Sequence, residues 1–228
     1  MRFFAIPRTN LGRMTAPALR EHMADRWVHV LGLGLGPPAA LGVVLVAALD
    51  GAQGQLAPVA LYAAGLLAML GCSAAYNLGR VSTRRSSRRH DWLRRLDHAA
   101  IFAMIAGTYT PFTLKLERGW AIGLTSAVWA LAAAGIAFKL LQLRPARLHF
   151  LSVALYLALG WIGLLALGPF TASLATDTLV LLAIGGALYT AGVVFHLWQR
   201  LPYQNAIWHG FVLVAAGVHY AAVLTVVG

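Results

Sequence analysis

The sequence predicts an all-α, polytopic membrane protein with seven transmembrane helices and a cytoplasmic amino terminus. Three observations carry that reading. Hydrophobic residues make up 60% of the 228 and charged residues 11%, a balance that no water-soluble core of this size would show. Apolar runs recur along the whole chain, each near the roughly 20 residues that a helix needs to cross hydrocarbon. With the amino terminus inside, sixteen of the eighteen Lys and Arg fall on the cytoplasmic side, leaving only Lys115 and Arg118 outside.

Residues 1–26 hold Arg2, Arg8, Arg13, Arg20 and Arg26 but no apolar core or small-residue cleavage site. They are expected to form a cytoplasmic amino-terminal segment, not a cleaved signal. Residues 27–228 are expected to form one seven-helix transmembrane domain. Its first span, Trp27 to Leu49, carries Pro37-Pro38, which should kink it. Gly32, Gly34 and Gly36 superficially resemble a dinucleotide loop, but they follow no strand and suit close helix packing instead. The turn Asp50-Gly-Ala-Gln-Gly54 precedes a second span, Leu56 to Gly79, in which Cys72 acts as a small buried hydrophobe.

The basic run Arg84-Arg85-Ser-Ser-Arg88-Arg89 sits in a short loop between spans, where it reads as a topology signal and a contact to anionic lipid; no nucleic-acid partner is expected. The third span runs from Leu96 to Leu114, the fourth from Trp120 to Leu140, the fifth from Leu148 to Gly168, the sixth from Thr178 to Trp198 and the seventh from Ala206 to Val227. Lys115 to Gly119, Arg144-Pro145, Gly168-Pro169 and Leu201-Pro202 supply the stops. Trp27, Trp120, Trp198 and Trp208 fall at span ends, as interfacial anchors do.

Polar residues concentrate at one depth. A helix rises about 1.5 Å per residue, which places His29, Ser73, Asn77, Asp97, His98, Asn205 and His209 near the cytoplasmic face on four spans. Ser73 and Asn77 are four apart, as are Asn205 and His209, so each pair shares a helix face. These seven residues are expected to line a polar pocket. Asn, Ser and His also serve as interhelical hydrogen-bond glue, and His22, His149, His196 and His219 read as structural. Asp97 differs, because an intramembrane carboxylate marks a functional site by default.

Glu21 to Gly32, Ser73 to Asn77, Leu93 to Phe112 with its Asp97-His98, Ile207-Trp208-His209 and Val218-His219-Tyr220 together resemble the bacterial hemolysin III proteins, within the progestin and adipoQ receptor family. That resemblance implies seven membrane helices with the amino terminus inside, in a bacterial inner (plasma) membrane. It also implies three histidines holding zinc, with a serine and an aspartate nearby, in a site resembling those of membrane-embedded hydrolases of lipid amides such as ceramides. Ser73, Asp97 and His209 match the implied serine, aspartate and last histidine, whereas Asn77 and Asn205 occupy the other two histidine positions. An amide oxygen is a poor zinc donor, so the balance goes against a bound zinc and the site is expected to be degenerate. Asn77 and Asn205 are expected to satisfy Asp97 and His209 in a closed hydrogen-bond network. The function then implied is membrane homeostasis, or sensing of a lipid or other hydrophobic ligand in the bundle. The alternative is a zinc-dependent lipid amide hydrolase with Asp97 and Ser73 as catalytic residues and His209 as metal ligand. A proton path through Asp97, His98 and His209 is the weakest reading, because the outer half of the bundle offers little polar continuation.

Overall fold

In hydrocarbon a backbone cannot turn to water, so apolar segments of this length satisfy their N–H and C=O groups internally as helices. The computed structural model describes residues 15–49, 54–79, 88–141 and 149–227, and among these every regular element is helical. In chain order they are α1 (Ala16–Leu49), α2 (Leu56–Gly79), α3 (Arg88–Thr113), α4 (Arg118–Leu141), α5 (His149–Trp161), a 3-10 segment (Ile162–Ala166), α6 (Leu167–Ser173), α7 (Thr176–Leu197) and α8 (Gln204–Val227). Six stretches are long and apolar enough to cross a membrane: α1, α2, α4, the broken stretch Phe150–Ser173, α7 and α8. Helix α3 is the seventh long helix described, and its opening turns carry Arg88, Arg89, Asp91, Arg94, Arg95 and Asp97. The leader arginines Arg2, Arg8 and Arg13, the basic run at Arg84-Arg85 and the Arg144-Pro145 stop lie outside the described residues.

The helices form a ring. Helices α1, α2, α3 and α4 pack successively, α7 packs on α8, and α8 returns to α1; α5 is held more sparsely between α4 and α7. Helix α3 is the most enclosed, with Ala99, Ala100, Phe102, Met104, Ala106 to Thr108 and Thr110 to Thr113 all buried beyond its charged opening turns. Backbones approach where side chains vanish. A Cβ on Gly107 would lie 3.0 Å from Leu61 O, and one on Gly65 would lie 3.2 Å from Met104 Cα, so α2 and α3 touch main chain to main chain.

On α1 the buried residues are Asp25, His29, Gly32, Gly36, Ala40, Val43 and Ala47, a stripe with steps of three and four. Gly32 and Gly36 receive the Leu70 side chain of α2, the packing expected of that glycine run. Helix α1 begins at Ala16, so part of the stretch read as an amino-terminal segment is its first turns, and it continues through Pro37 and Pro38.

The break expected at Gly168-Pro169 lies elsewhere. Pro169 falls in the first turn of α6, where its missing N–H has no intrahelical acceptor to lose. The span is interrupted instead at the 3-10 segment, because a residue of another helix takes the backbone groups there: the Tyr109 hydroxyl donates to Gly160 O (2.7 Å) and accepts from the Gly163 N–H (3.0 Å).

Candidate functional site

A cavity of about 560 Å³ runs inside the ring. Its lining extends from Arg94 to Tyr109 on α3 and from Gln204 to His219 on α8, some fifteen residues each, or about 22 Å of helix. One end is polar: His29, Ser73, Asn77, Asp97, His98, Asn205 and His209 all line it. The walls beyond are mainly apolar, with Met69, Leu70, Met104, Ile105, Val193 and Val212. These residues share one end because α1, α3 and α8 start there and α2 finishes there.

The tightest grouping within that end includes a residue absent from the pocket read from the sequence. Asp25, His29 and His209 bring one ligand atom each within 4.8 Å of one another. The His209 Nδ1–H donates to Asp25 Oδ1 at 2.5 Å, and His29 Nδ1 lies 3.7 Å from that oxygen. Asp25 and His29 are 6% and 7% exposed, so neither reaches water for its partners. The two imidazoles meet nearly edge to face, with centroids 4.4 Å apart.

The tautomer of His29 follows from its neighbours. Its Nδ1–H donates to the Asp25 carbonyl (2.8 Å), which leaves Nε2 as the basic nitrogen, 3.3 Å from the Ser73 hydroxyl. A histidine anchored through one nitrogen by a backbone carbonyl is oriented as metal-bound histidines generally are.

The expected amide network is not what forms. Asn77 donates to Ser73 O (3.0 Å) and Ser73 Oγ (3.3 Å), so it braces the serine and not Asp97. His209 is satisfied by Asp25, not by Asn205. Asp97 lies 3.3 Å from the Nδ1 of its neighbour His98, and both face the cavity. His219 stands at the deep end with Nε2 3.4 Å from Leu182 O, and His196 packs against Trp208.

A zinc ion is implied by the resemblance, and two donor sets can be tested against it. Asn77, Asn205 and His209 offer one strong ligand and do not fit. Asp25, His29 and His209 offer a carboxylate and two imidazoles, a set that suits zinc and its neighbours in the first transition row. Bonds of about 2.0–2.2 Å place donors roughly 3.5 Å apart around a tetrahedral ion, so small side-chain shifts would close this group on a metal. Asp25 is legible in retrospect: it precedes His29 by four residues, on the stripe that carries Gly32 and Gly36.

Comparison with known proteins agrees over nearly the whole chain. The family described as "Haemolysin-III related" matches residues 18–220, a range that includes every residue of the site. This chain belongs to that haemolysin III family. It is 34% identical to the "Hemolysin-3 homolog" of Bacillus subtilis (strain 168) over 209 residues, covering 90% of this chain and 94% of the relative. It is 33% identical to "Hemolysin-3" of Bacillus cereus over 213 residues, covering 90% and 91%. It is 30% identical to the human "Monocyte to macrophage differentiation factor" over 211 residues, covering 91% and 84%. The chain is thus a haemolysin III-type, multi-pass integral membrane protein.

Proposed function

We propose that this haemolysin III-type protein takes a lipid into the cavity between its helices, beside a transition metal, zinc being the one its donors suit, held by Asp25, His29 and His209. Its role is in membrane homeostasis or lipid sensing, in a bacterial inner membrane. The observation that carries the reading is the meeting of those three donors at one end of a cavity whose walls then continue as apolar side chains. The volume falls within the roughly 300–1,000 Å³ of small-molecule sites, and the length suits an extended acyl chain.

The asymmetry of Lys and Arg supports seven spans with the amino terminus and the polar end of the cavity in the cytoplasm. Helix α3 serves as the remaining span, its charged opening turns at headgroup depth and its apolar turns enclosed by α2 and α4. The lipid reading is tested by native mass spectrometry of the protein in a neutral detergent. A co-purifying lipid is expected in the wild type and is lost when Ile105→Trp fills the cavity; retention of the same lipid by the filled variant contradicts the assignment.

Hydrolysis of a lipid amide is the second reading, favoured by the Ser73 hydroxyl at 3.3 Å from His29 Nε2 and by Asp97 on the same cavity. When bound in such a site, a metal polarises a carbonyl and lowers the pKa of a water. The chain's own residues would do the rest. The Asp25 carbonyl fixes the His29 ring, Ser73 presents a hydroxyl beside it, and the apolar walls orient the acyl chain and keep bulk water out. Asp97 is placed to hold a proton and release it to the leaving amine. On this reading the metal-supplemented protein releases fatty acid from an N-acylsphingosine, and Asp97→Asn lowers the rate by about 10²–10⁴-fold, the range of a lost general acid–base group. Release that is unaffected by Asp97→Asn rules out this role for the carboxylate.

A further inference from the structure

Lys139, near the end of α4, is 4% exposed, and no carboxylate among the described residues lies within salt-bridge distance of it. The whole chain has only seven Asp and Glu, and the segment 142–148 that follows α4 contains neither. Lys139 Nζ instead donates to Ser152 Oγ and lies 5.8 Å and 5.9 Å from the Tyr156 and Phe138 ring centroids. A buried ammonium held only by a hydroxyl and two rings lacks a counter-charge, which makes it costly unless something else supplies one.

The surroundings say where that charge would come from. Ser152 and Tyr156 line the cavity at its polar end, so Lys139 stands directly behind the cavity wall. Arg94, on the same wall, has the half-exposed Asp91 at 3.5 Å as its one ion-pair partner among the described residues and adds a second cation. A guanidinium does not shed its proton, so Arg94 stays positive whatever the lysine does. Asp25, His29 and His209 belong to α1 and α8, and the basic pair belongs to α3 and α4, where Asp97 and His98 of α3 also line the polar end.

We propose that Lys139 and Arg94, through the Ser152 face of the cavity, form a subsite for the anionic head of a lipid whose chain occupies the apolar walls. This rests on the lipid-cavity reading above and adds the charge of the ligand. In a low-dielectric site a charge one side chain behind the wall still selects an anion, while Arg94 contacts it directly. Phosphate and carboxylate heads share this chemistry.

The test uses the full-length protein in a neutral detergent and measures equilibrium binding of hexadecyl phosphate, hexadecanoate and hexadecanol. Both anions are expected to bind at least about ten-fold tighter than the alcohol. Lys139→Met and Arg94→Gln should each remove most of that preference while leaving hexadecanol binding unchanged, and Lys139→Arg should keep it. Unchanged alcohol binding shows that a variant is folded, and Arg94→Gln reads the effect away from the buried position. The tighter of the two anions identifies the head group. Equal binding of all three probes overturns the anionic subsite and leaves the lipid cavity standing. An anion preference that survives both neutral substitutions overturns the assignment to Lys139 and Arg94. Failure of every probe to bind overturns both this subsite and the lipid-cavity reading.

Discussion

Asp25 holds the site together. Its side chain accepts from His209, its backbone carbonyl accepts from His29, and it does so at 6% exposure. Asp25→Asn keeps the shape but removes the charge, so we expect divalent-metal affinity to fall by about 10–100-fold or more in a competition titration; an unchanged affinity would place the metal elsewhere. Tyr109 is the corresponding residue at the deep end, bridging the two backbone groups where α5 gives way to the 3-10 segment. Tyr109→Phe leaves both without that partner at membrane depth and is expected to cost about 1–3 kcal/mol, read as a lower midpoint of denaturation in mixed micelles. Sequence reasoning reached His29, Ser73, Asn77, Asp97, His98, Asn205 and His209, because i, i+4 spacing and shared depth are visible in a string of letters. It passed over Asp25, which sits among charged residues before Trp27 and reads as part of a cytoplasmic lead-in until α1 is seen to begin at Ala16. The partner choices of Asn77 and His209 were equally hidden, since spacing gives the face of a helix but not the rotation of its neighbour.

At the scale of elements, the α2–α3 contact is the least forgiving. Gly107 meets Leu61 O and Tyr62 Cα at 3.0 Å and 3.3 Å from where a Cβ would stand, and main chain cannot step aside as a side-chain tip can. Gly107→Leu is therefore expected to separate α2 from α3, with a cost of at least about 1–3 kcal/mol and loss of folded protein on size-exclusion chromatography, whereas Gly123→Leu, with open space around it, should be tolerated. A Gly107→Leu protein as stable as the parent would contradict this packing. Four of the seven expected spans, the second, fourth, sixth and seventh, match their helices to within a few residues, because composition sets span length, whereas α1 and α3 begin earlier than expected, at Ala16 and Arg88. The fifth does not run unbroken to Gly168: its interruption depends on Tyr109, fifty-one residues away in sequence from Gly160, and no local signal reports such a distant bond. Proline was the misleading cue there, since Pro169 in a first turn starts a helix as readily as it ends one.

On the scale of the whole molecule, the ring of helices gathers acid, imidazole and basic groups at the cavity's polar end, His29 and His209 from α1 and α8 and Arg94, Asp97 and His98 from α3, with apolar depth between α3, α5, α7 and α8. The proposed orientation places that end in the cytoplasm. Single cysteines introduced at Arg20 and Lys115 of a Cys72→Ala background should then be labelled by an impermeant maleimide only in opened cells and in intact cells respectively, and the reverse pattern would invert the topology. The claim on which the rest depends is the proposal that Asp25, His29 and His209 hold a metal although asparagine stands at two of the positions where the resemblance implies histidine. Its most direct test is elemental analysis of the full-length protein purified without chelator from zinc-supplemented cells. We expect about one zinc per chain, falling to roughly a tenth or less in Asp25→Ala, His29→Ala and His209→Ala, and unchanged in Asn77→Ala and Asn205→Ala. A wild-type protein free of metal, or an ion that stays bound after Asp25 and His29 are both replaced, would contradict the account.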